Sequence, residues 1–246
     1  MDRREAMRRA RERRTAELVA ARELTPSVRE LTFAIREGSP IEFVAGQYAN
    51  FHLGQDQGLQ RSYSMAAAPS DAGTLTVAVT RVEGGPGSEA MHTLPVGATV
   101  PVDGPWGLFT LERVPPDAPL LFVATGTGLT PIRAMIEAEL AKANARPVRL
   151  VFGCRREVDR LYADDLDAWT STHARFAFDT ACSRPTEGGP AARVQDRIPE
   201  ALEALRPHGE PHVLICGLRA MVEDVRALLK EAYAIGRERI HTERFD

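Results

Sequence analysis

The sequence predicts two domains: an all-β unit, barrel or sandwich, followed by an α/β unit on a doubly wound parallel sheet. Three observations carry this. Between about Ala16 and Arg113, short strand-like runs are separated by Gly/Pro punctuation. Val114-Pro115-Pro116-Asp117-Ala118-Pro119 then interrupts the chain, and prolines spaced this closely disfavour both helix and central strand. Beyond it, strand-length and helix-length segments alternate, which is the rhythm of a parallel sheet. The expected division is a basic helical leader over 1–21, a β domain over 22–114 and an α/β domain over 115–246. A chain of 246 residues, 43% hydrophobic and 26% charged, is large enough to bury two cores.

Taken in order, Asp2–Ala21 reads as a helix of Arg, Glu and Ala, apolar mainly at Ala6, Met7, Ala10, Leu18 and Val19. Residues 1–14 hold seven arginines against Asp2, Glu5 and Glu12, a local charge of +4 in a chain of net −3. Such a segment is either a solvated leader or a basic arm for an acidic partner protein. No aromatics are interleaved with the charge, so nothing points to nucleic acid.

Strands are expected at Val28–Ile35, Tyr48–Leu53 and Thr74–Val82, where Leu75–Thr80 alternates with period two. Another falls at Val96–Val102, broken by Gly97 and Pro101. In the second domain the strands are Leu120–Ala124, Val148–Gly153, Arg175–Thr180 and His212–Cys216. The helices are Pro131–Ala143, Leu161–Thr170, Asp196–Leu205 and Arg219–Tyr233.

Composition narrows the function. No apolar run approaches the roughly 20 residues of a membrane span, and the Arg-rich N-terminus is no secretory signal. Cys154, Cys182 and Cys216 are far apart in sequence with no CxxC pair, which argues against a zinc or iron–sulfur site. Their odd, sparse number fits a reducing cytoplasm.

The chain is organised around Leu120–Pro131. An apolar strand stops at Thr125-Gly126-Thr127-Gly128, and a helix begins near Pro131. This is the strand-to-helix elbow at which open α/β sheets hold nucleotides, with glycines for close approach and a helix N-terminus for negative charge. It is neither G-x-G-x-x-G, since Pro131 takes the third glycine position, nor a phosphate-binding P-loop, since Gly-Lys-Ser/Thr is absent. After the next strand, Arg155 and Arg156 stand where an NAD-binding unit places a carboxylate.

In the β domain, Arg61-Ser62-Tyr63-Ser64 offers a phosphate-binding cation, a flat ring and hydroxyls, or is an ordinary strand. Val82-Glu83-Gly84-Gly85-Pro86-Gly87-Ser88 is a second Gly-rich turn before a helix start, suited to a pyrophosphate, or is a long hairpin loop. Asp103-Gly104-Pro105-Trp106-Gly107 reads as a barrel turn rather than a ligand site. Cys216-Gly217 ends a strand at the mouth of the sheet, where the thiol is either inert or part of a site.

The order of these pieces resembles the ferredoxin–NADP reductase family over residues 25–246: Arg-x-Tyr-Ser, Gly-x-Gly-Ser, Gly-Pro-Trp-Gly, Thr-Gly-Thr-Gly-x-x-Pro, Cys-Gly, and Glu-Arg-Phe. The resemblance implies a Greek-key FAD-binding barrel joined to an NAD(P)-binding domain. It implies that Arg61 holds a flavin phosphate, with Ser62 in the same motif. Tyr63 would stack on the isoalloxazine and Ser64 hydrogen-bond flavin N5, while Gly87 and Ser88 support the FAD pyrophosphate and Phe245 is the terminal aromatic. Thr125, Gly126, Thr127, Gly128 and Pro131 would border the nicotinamide nucleotide. Cys216, with Gly217, and Glu243 would flank hydride transfer. Asp246 extends the chain past the aromatic, more like bacterial members than the plant-type enzymes that end on tyrosine.

Ser183-Arg184, with Arg193 in the second place, matches the plant-type grip on a 2′-phosphate, to which Arg155 would add, and this favours NADPH over NADH; the competing reading of Ser-Arg-Pro is a simple turn, found also in NADH-using relatives. Glu83–Met91 lacks the arginine of FMN-type relatives and no Cys-rich extension is present, so FAD is expected. The implied activity is that of a flavoenzyme, a monomer, exchanging electrons between NAD(P)H and ferredoxin or flavodoxin. The alternatives are the reductase component of an oxygenase, a free-flavin or haem-protein reductase, and a non-catalytic flavoprotein subunit.

Overall fold

The computed structural model describes residues 3–54, 58–186 and 189–245. Two sheets make the molecule. The first is antiparallel, built from β1 (Arg14–Thr25), β2 (Val28–Glu37), β3 (Tyr48–Leu53), β4 (Leu59–Ser64), β5 (Thr74–Thr80) and β6 (Thr99–Trp106). Its order is β4-β3-β6-β1-β2-β5, and the two edges meet where Met65 bridges Val77 and Ala66 N–H donates to Thr76 O (2.7 Å), closing the barrel. Ala16, Leu18, Leu31, Phe33, Phe51 and Val77 fill its interior.

The second sheet is parallel, with β7 (Leu120–Thr125), β8 (Val148–Cys154), β9 (Phe176–Cys182), β10 (His212–Leu218) and β11 (Ile240–Phe245) in the order β11-β10-β7-β8-β9. The chain winds outward from β7 in one direction and then, from β10, in the other, so β7 and β10 flank the topological switch point where such sheets bind ligands. Helices cover both faces: α3 (Leu129–Leu140) and α4 (Ala163–Thr172) on one, α5 (Ile198–Leu205) and α6 (Arg219–Glu231) on the other. The core under α3 and α4 continues into the barrel through Val28, Ala45, Ala66, Ala78 and Phe109, so the two sheets share one apolar junction. Among the described residues, no helix is long and apolar enough to cross a membrane.

Three local expectations change. The helix expected over Asp2–Ala21 stops early: α1 covers Arg3–Arg11, and the residues from Arg14 form β1, with Asp2 outside the described residues. Arg-Thr-Ala-Glu-Leu-Val-Ala-Ala is a good helix-forming run, but here it pairs with β2 on one side and β6 on the other, and Ala16 and Leu18 are wholly buried. Two ladders and a buried face outweigh a propensity of a few tenths of a kcal/mol per residue. Buried Arg14 closes the helix, donating to Glu12 O (2.6 Å) and Ser39 O (2.9 Å).

The turn expected at Asp103–Gly107 is largely strand, since β6 runs on to Trp106. The last strand, β11, had no periodic signal at all, because half-buried and exposed residues alternate along it without matching apolar and polar types.

Polar staples lock the junction. Arg133 of α3, 8% exposed, donates to barrel Ala66 O (2.6 Å) and to Asp165 of α4 (2.7 and 3.0 Å), and its guanidinium lies 4.6 Å from the Tyr162 ring centre. Glu137, one turn on, accepts from Ala68 N (2.6 Å). Arg146 reaches the proline-rich connection, donating to Pro115 O (2.6 Å) while paired with buried Glu139 (3.1 Å). Arg133→Ala is expected to cost about 2 kcal/mol, since a hydrogen bond to a charged group is worth about 1.5–3 kcal/mol, and to lower Tm by roughly 5 °C in a chain of this size. Calorimetry of the variant checks it; an unchanged Tm would show that the staple contributes nothing.

Candidate active site

The two sheets bring their motif residues to one junction. β4 carries Arg61, Ser62, Tyr63 and Ser64, and its alternation sends Tyr63 toward the barrel core, edge-on to Phe51 with ring centres 5.7 Å apart. Burial pushes the Tyr63 phenol up to about 12, so it stays neutral. Arg61 is exposed and lies across the Gly-rich turn: a Cβ at Gly87 would sit 2.6 Å from Arg61 Cγ and 3.0 Å from its Nε. Only glycine lets the cation approach the first turn of α2 (Pro86–Thr93) this closely. Ser88 Oγ is spent on the turn itself, accepting from Val82 N and donating to Gly85 O, both at 3.0 Å. Its role is to shape the loop, leaving first-turn backbone N–H groups beside an arginine with no ion-pair partner among the described residues. A preassembled cation and helix N-terminus suit a dinucleotide's diphosphate.

Ser62 rests on a network that sequence reasoning missed. Its Oγ donates to Asn50 Oδ1 (2.7 Å), and Asn50 Nδ2 donates to Asp103 Oδ1 (2.9 Å). Trp106 Nε1 (2.5 Å) and His52 Nε2 (2.6 Å) complete the partners of the Asp103 carboxylate. Asn50, His52 and Asp103 are all buried. The signal lay in polar residues within strand-like stretches, at Asn50 and His52, which a turn reading of Asp103 left without a partner.

On the α/β side, β7 and β10 end together. The Gly126–Gly128 turn and α3 follow β7, with Pro131 in the helix's first turn rather than at its first residue. A Cβ at Gly128 would collide with the backbone of Cys216, and one at Gly217, where φ is +151°, with Thr125 Oγ1 and Met221 Cε. The two strand ends therefore pack closely against each other, and Thr125 Oγ1 is buried there without a hydrogen-bond partner among the described atoms. Strand ends at such a switch point are where open α/β sheets hold nucleotides. Thr127 Oγ1 touches Thr80 Oγ1 of the barrel (3.3 Å), joining the loop after β7 to the barrel.

Where barrel and sheet meet, Ser64, Cys216 and Glu243 converge. Cys216 and Glu243 are register partners on β10 and β11, and Ser64 Oγ donates to Glu243 Oε1 (3.4 Å) across the junction. Burial raises the Glu243 carboxyl to about 7, the Ser64 hydrogen bond opposing it. Burial, and then Glu243, push the wholly buried Cys216 thiol well up, so it is a neutral wall and not a nucleophile. A cleft of about 320 Å³ opens beside Glu243, lined by Leu108–Thr110, Arg113 and His241–Glu243. Phe245 packs half-buried on the shared core, and Asp246 lies outside the described residues.

The remaining predicted residues collect at the free ends of β8 and β9. Ser183 N donates to Cys154 O (3.1 Å), Arg184 N to Arg155 O (2.8 Å) and Ala192 N to Cys182 O (2.8 Å). These bonds gather Arg155, Ser183, Arg184 and Arg193 around two strand ends. All four are exposed, and the three guanidinium groups have no ion-pair partner among the described residues, although Arg193 N donates to Asp196 Oδ2 (2.7 Å).

Comparison with known proteins agrees with this arrangement. Residues 15–111 match an oxidoreductase FAD-binding domain and residues 122–227 an oxidoreductase NAD-binding domain. The chain is 44% identical over 237 residues to ferredoxin–NADP reductase B of Sorangium cellulosum, covering 94% of this chain and 97% of that one. It is 34% identical over 222 residues to reductase component 2 of the terephthalate 1,2-dioxygenase of a Comamonas species, covering 88% of this chain but only 64% of that longer protein. Among solved structures, the Amycolatopsis cytochrome P450 reductase GcoB superposes with a TM-score of 0.83 at 25% identity, over 95% of this chain and 70% of that one.

Proposed function

The chain belongs to the ferredoxin–NADP reductase family, with FAD- and NAD(P)-binding domains, and from that premise we propose that it moves electrons between NADPH and a ferredoxin- or flavodoxin-type one-electron carrier. The observation that carries the site assignment is the convergence of Ser64, Cys216 and Glu243 where the two sheets meet.

FAD, when bound, would supply the redox chemistry of accepting a hydride from a reduced nicotinamide and passing on electrons singly. The chain's residues do the rest. Arg61 and the first-turn amides of α2 hold the diphosphate, and Tyr63 offers an uncharged ring face beside the barrel core. Ser64 presents a hydroxyl whose proton Glu243 controls. The buried Cys216 thiol walls the contact, and Gly128 and Gly217 let the loop after β7 pack against the end of β10. Thr125 to Pro131 border the nicotinamide, and Arg155, Ser183, Arg184 and Arg193 hold a phosphate at the far end of the nucleotide. Fixing both rings at one junction removes the orientational entropy of a bimolecular encounter.

A second reading is the reductase component of an oxygenase, favoured by the 34% identity to the dioxygenase reductase. Turnover with purified ferredoxin and flavodoxin, against a purified oxygenase component as direct acceptor, separates the two.

The experiment that tests the reading is an anaerobic titration of the flavin-loaded protein with NADPH and with NADH, followed by absorbance. The flavin band is expected to bleach with both, at lower concentration with NADPH. Flavin that neither nucleotide bleaches would overturn the assignment.

A further inference from the structure

Cys154 and Cys182, 28 residues apart in sequence, are register partners at the last positions of β8 and β9, and their sulfurs stand 3.4 Å apart. Both are free thiols and partly exposed. Adjacent ladder positions hold Cα atoms within the span a disulfide needs, and the sulfurs must close by only about 1.4 Å to reach bonding distance.

The backbone at these two cysteines holds the phosphate-end residues. The Cys154 carbonyl accepts from Ser183 N (3.1 Å) and Ser183 Oγ (3.4 Å), and the Cys182 carbonyl accepts from Ala192 N, next to Arg193 (2.8 Å).

We propose that Cys154 and Cys182 form a dithiol–disulfide couple, oxidised by peroxide-class oxidants, that loosens the grip of the Ser183–Arg184 loop on the nucleotide's phosphate. The second half rests on the NADPH reading; the first does not. Burial and the neighbouring Cys182 push the Cys154 thiol up to about 12. One of the two thiols gives its proton to water, and its sulfur attacks one peroxide oxygen. The O–O bond breaks, the S–O bond of a sulfenic acid forms, and the departing hydroxide is protonated to water. The second sulfur then attacks the first, the S–O bond breaks, and the leaving hydroxide takes the second thiol's proton. Two thiols lose two electrons and two protons, and one peroxide becomes two waters.

The test treats flavin-loaded protein with hydrogen peroxide and reads intact mass, peptide maps and the KM for NADPH and NADH, before and after dithiothreitol. The expected result is loss of two hydrogens in mass, a cross-linked Cys154–Cys182 peptide, and a several-fold rise in NADPH KM with little change for NADH, all reversed by dithiothreitol. Cys154→Ser and Cys182→Ser each abolish the response while keeping the untreated KM values. Separate sulfinic acids, or thiols still alkylated after treatment, overturn the couple. A disulfide that leaves the NADPH KM unchanged overturns its coupling to the loop. Reduced protein that fails to discriminate NADPH from NADH counts against the NADPH reading alone, because the disulfide is scored by mass without nucleotide.

Discussion

Glu243→Ala is expected to slow reduction of the bound flavin by NADPH about 100-fold while the flavin stays in place, because the change removes a proton-handling group and touches neither Arg61 nor α2. The argument runs through Ser64. With Glu243 ionised, the Ser64 hydroxyl spends its proton on the carboxylate, the 3.4 Å contact seen here. With Glu243 protonated, the carboxyl can donate to Ser64 Oγ, which frees the Ser64 proton for an acceptor on the bound flavin. Since burial raises the carboxyl to about 7, the protonated form dominates below neutrality and the ionised form above it. The rate of flavin reduction is therefore expected to fall as pH rises through about 7.

Glu243→Gln keeps a donor to Ser64 at every pH, so it should retain most of the rate and lose the pH dependence. Stopped-flow reduction across pH 6 to 8, about one unit either side of that midpoint, reads both variants. A glutamine variant with the parent's pH profile, or an alanine variant with the parent's rate, would remove Glu243 from the mechanism. Ser64→Ala is expected to behave like Glu243→Ala, because both act through the same hydroxyl proton.

How much of this was legible depends on what each residue type signals by itself. Leu120–Thr125, Val148–Cys154 and His212–Leu218 are apolar runs ending in glycine or small residues, and such runs read as buried parallel strands at once. The barrel's β1 was hidden because Arg, Glu, Ala and Leu prefer helix in isolation, and only its pairing with two neighbours makes it a strand. β11 was invisible for a different reason: Ile-His-Thr-Glu-Arg-Phe has no pattern, and its place beside β10 comes from tertiary pairing. Glu243 entered only through family resemblance, and local sequence does not say that its carboxylate faces Ser64 at a distance of 179 residues. Arg133 and Asp103 were missed for the same reason. A buried charge announces itself through partners, and apart from Glu137 and Trp106, 4 and 3 residues away, those lie 32 and 67 residues away for Arg133 and 51 and 53 for Asp103.

Arg184→Ala is expected to lower the ratio of kcat/KM for NADPH over NADH by about 10- to 100-fold, since a hydrogen bond to a charged group is worth about 1.5–3 kcal/mol. The loss should fall on NADPH alone. NADH has no 2′-phosphate, so it has nothing to lose at this position, and its kcat/KM should hold. The structure favours this assignment because Arg184 is exposed at the end of β9, tied through its backbone to Arg155 (2.8 Å), and has no carboxylate partner among the described residues. A turn whose only role is to reverse the chain does not need an unneutralised guanidinium held there. Arg155 and Arg193 share the field, so Arg184→Ala leaves part of the preference, and adding Arg193→Ala should remove more of it. Neighbouring cations acting on one phosphate do not contribute independently, so the double variant should fall short of the product of the single losses. Steady-state kinetics with both nucleotides for the two single variants and the double decides it. A ratio unchanged in Arg184→Ala would return Ser183-Arg184-Pro185 to the status of a simple turn.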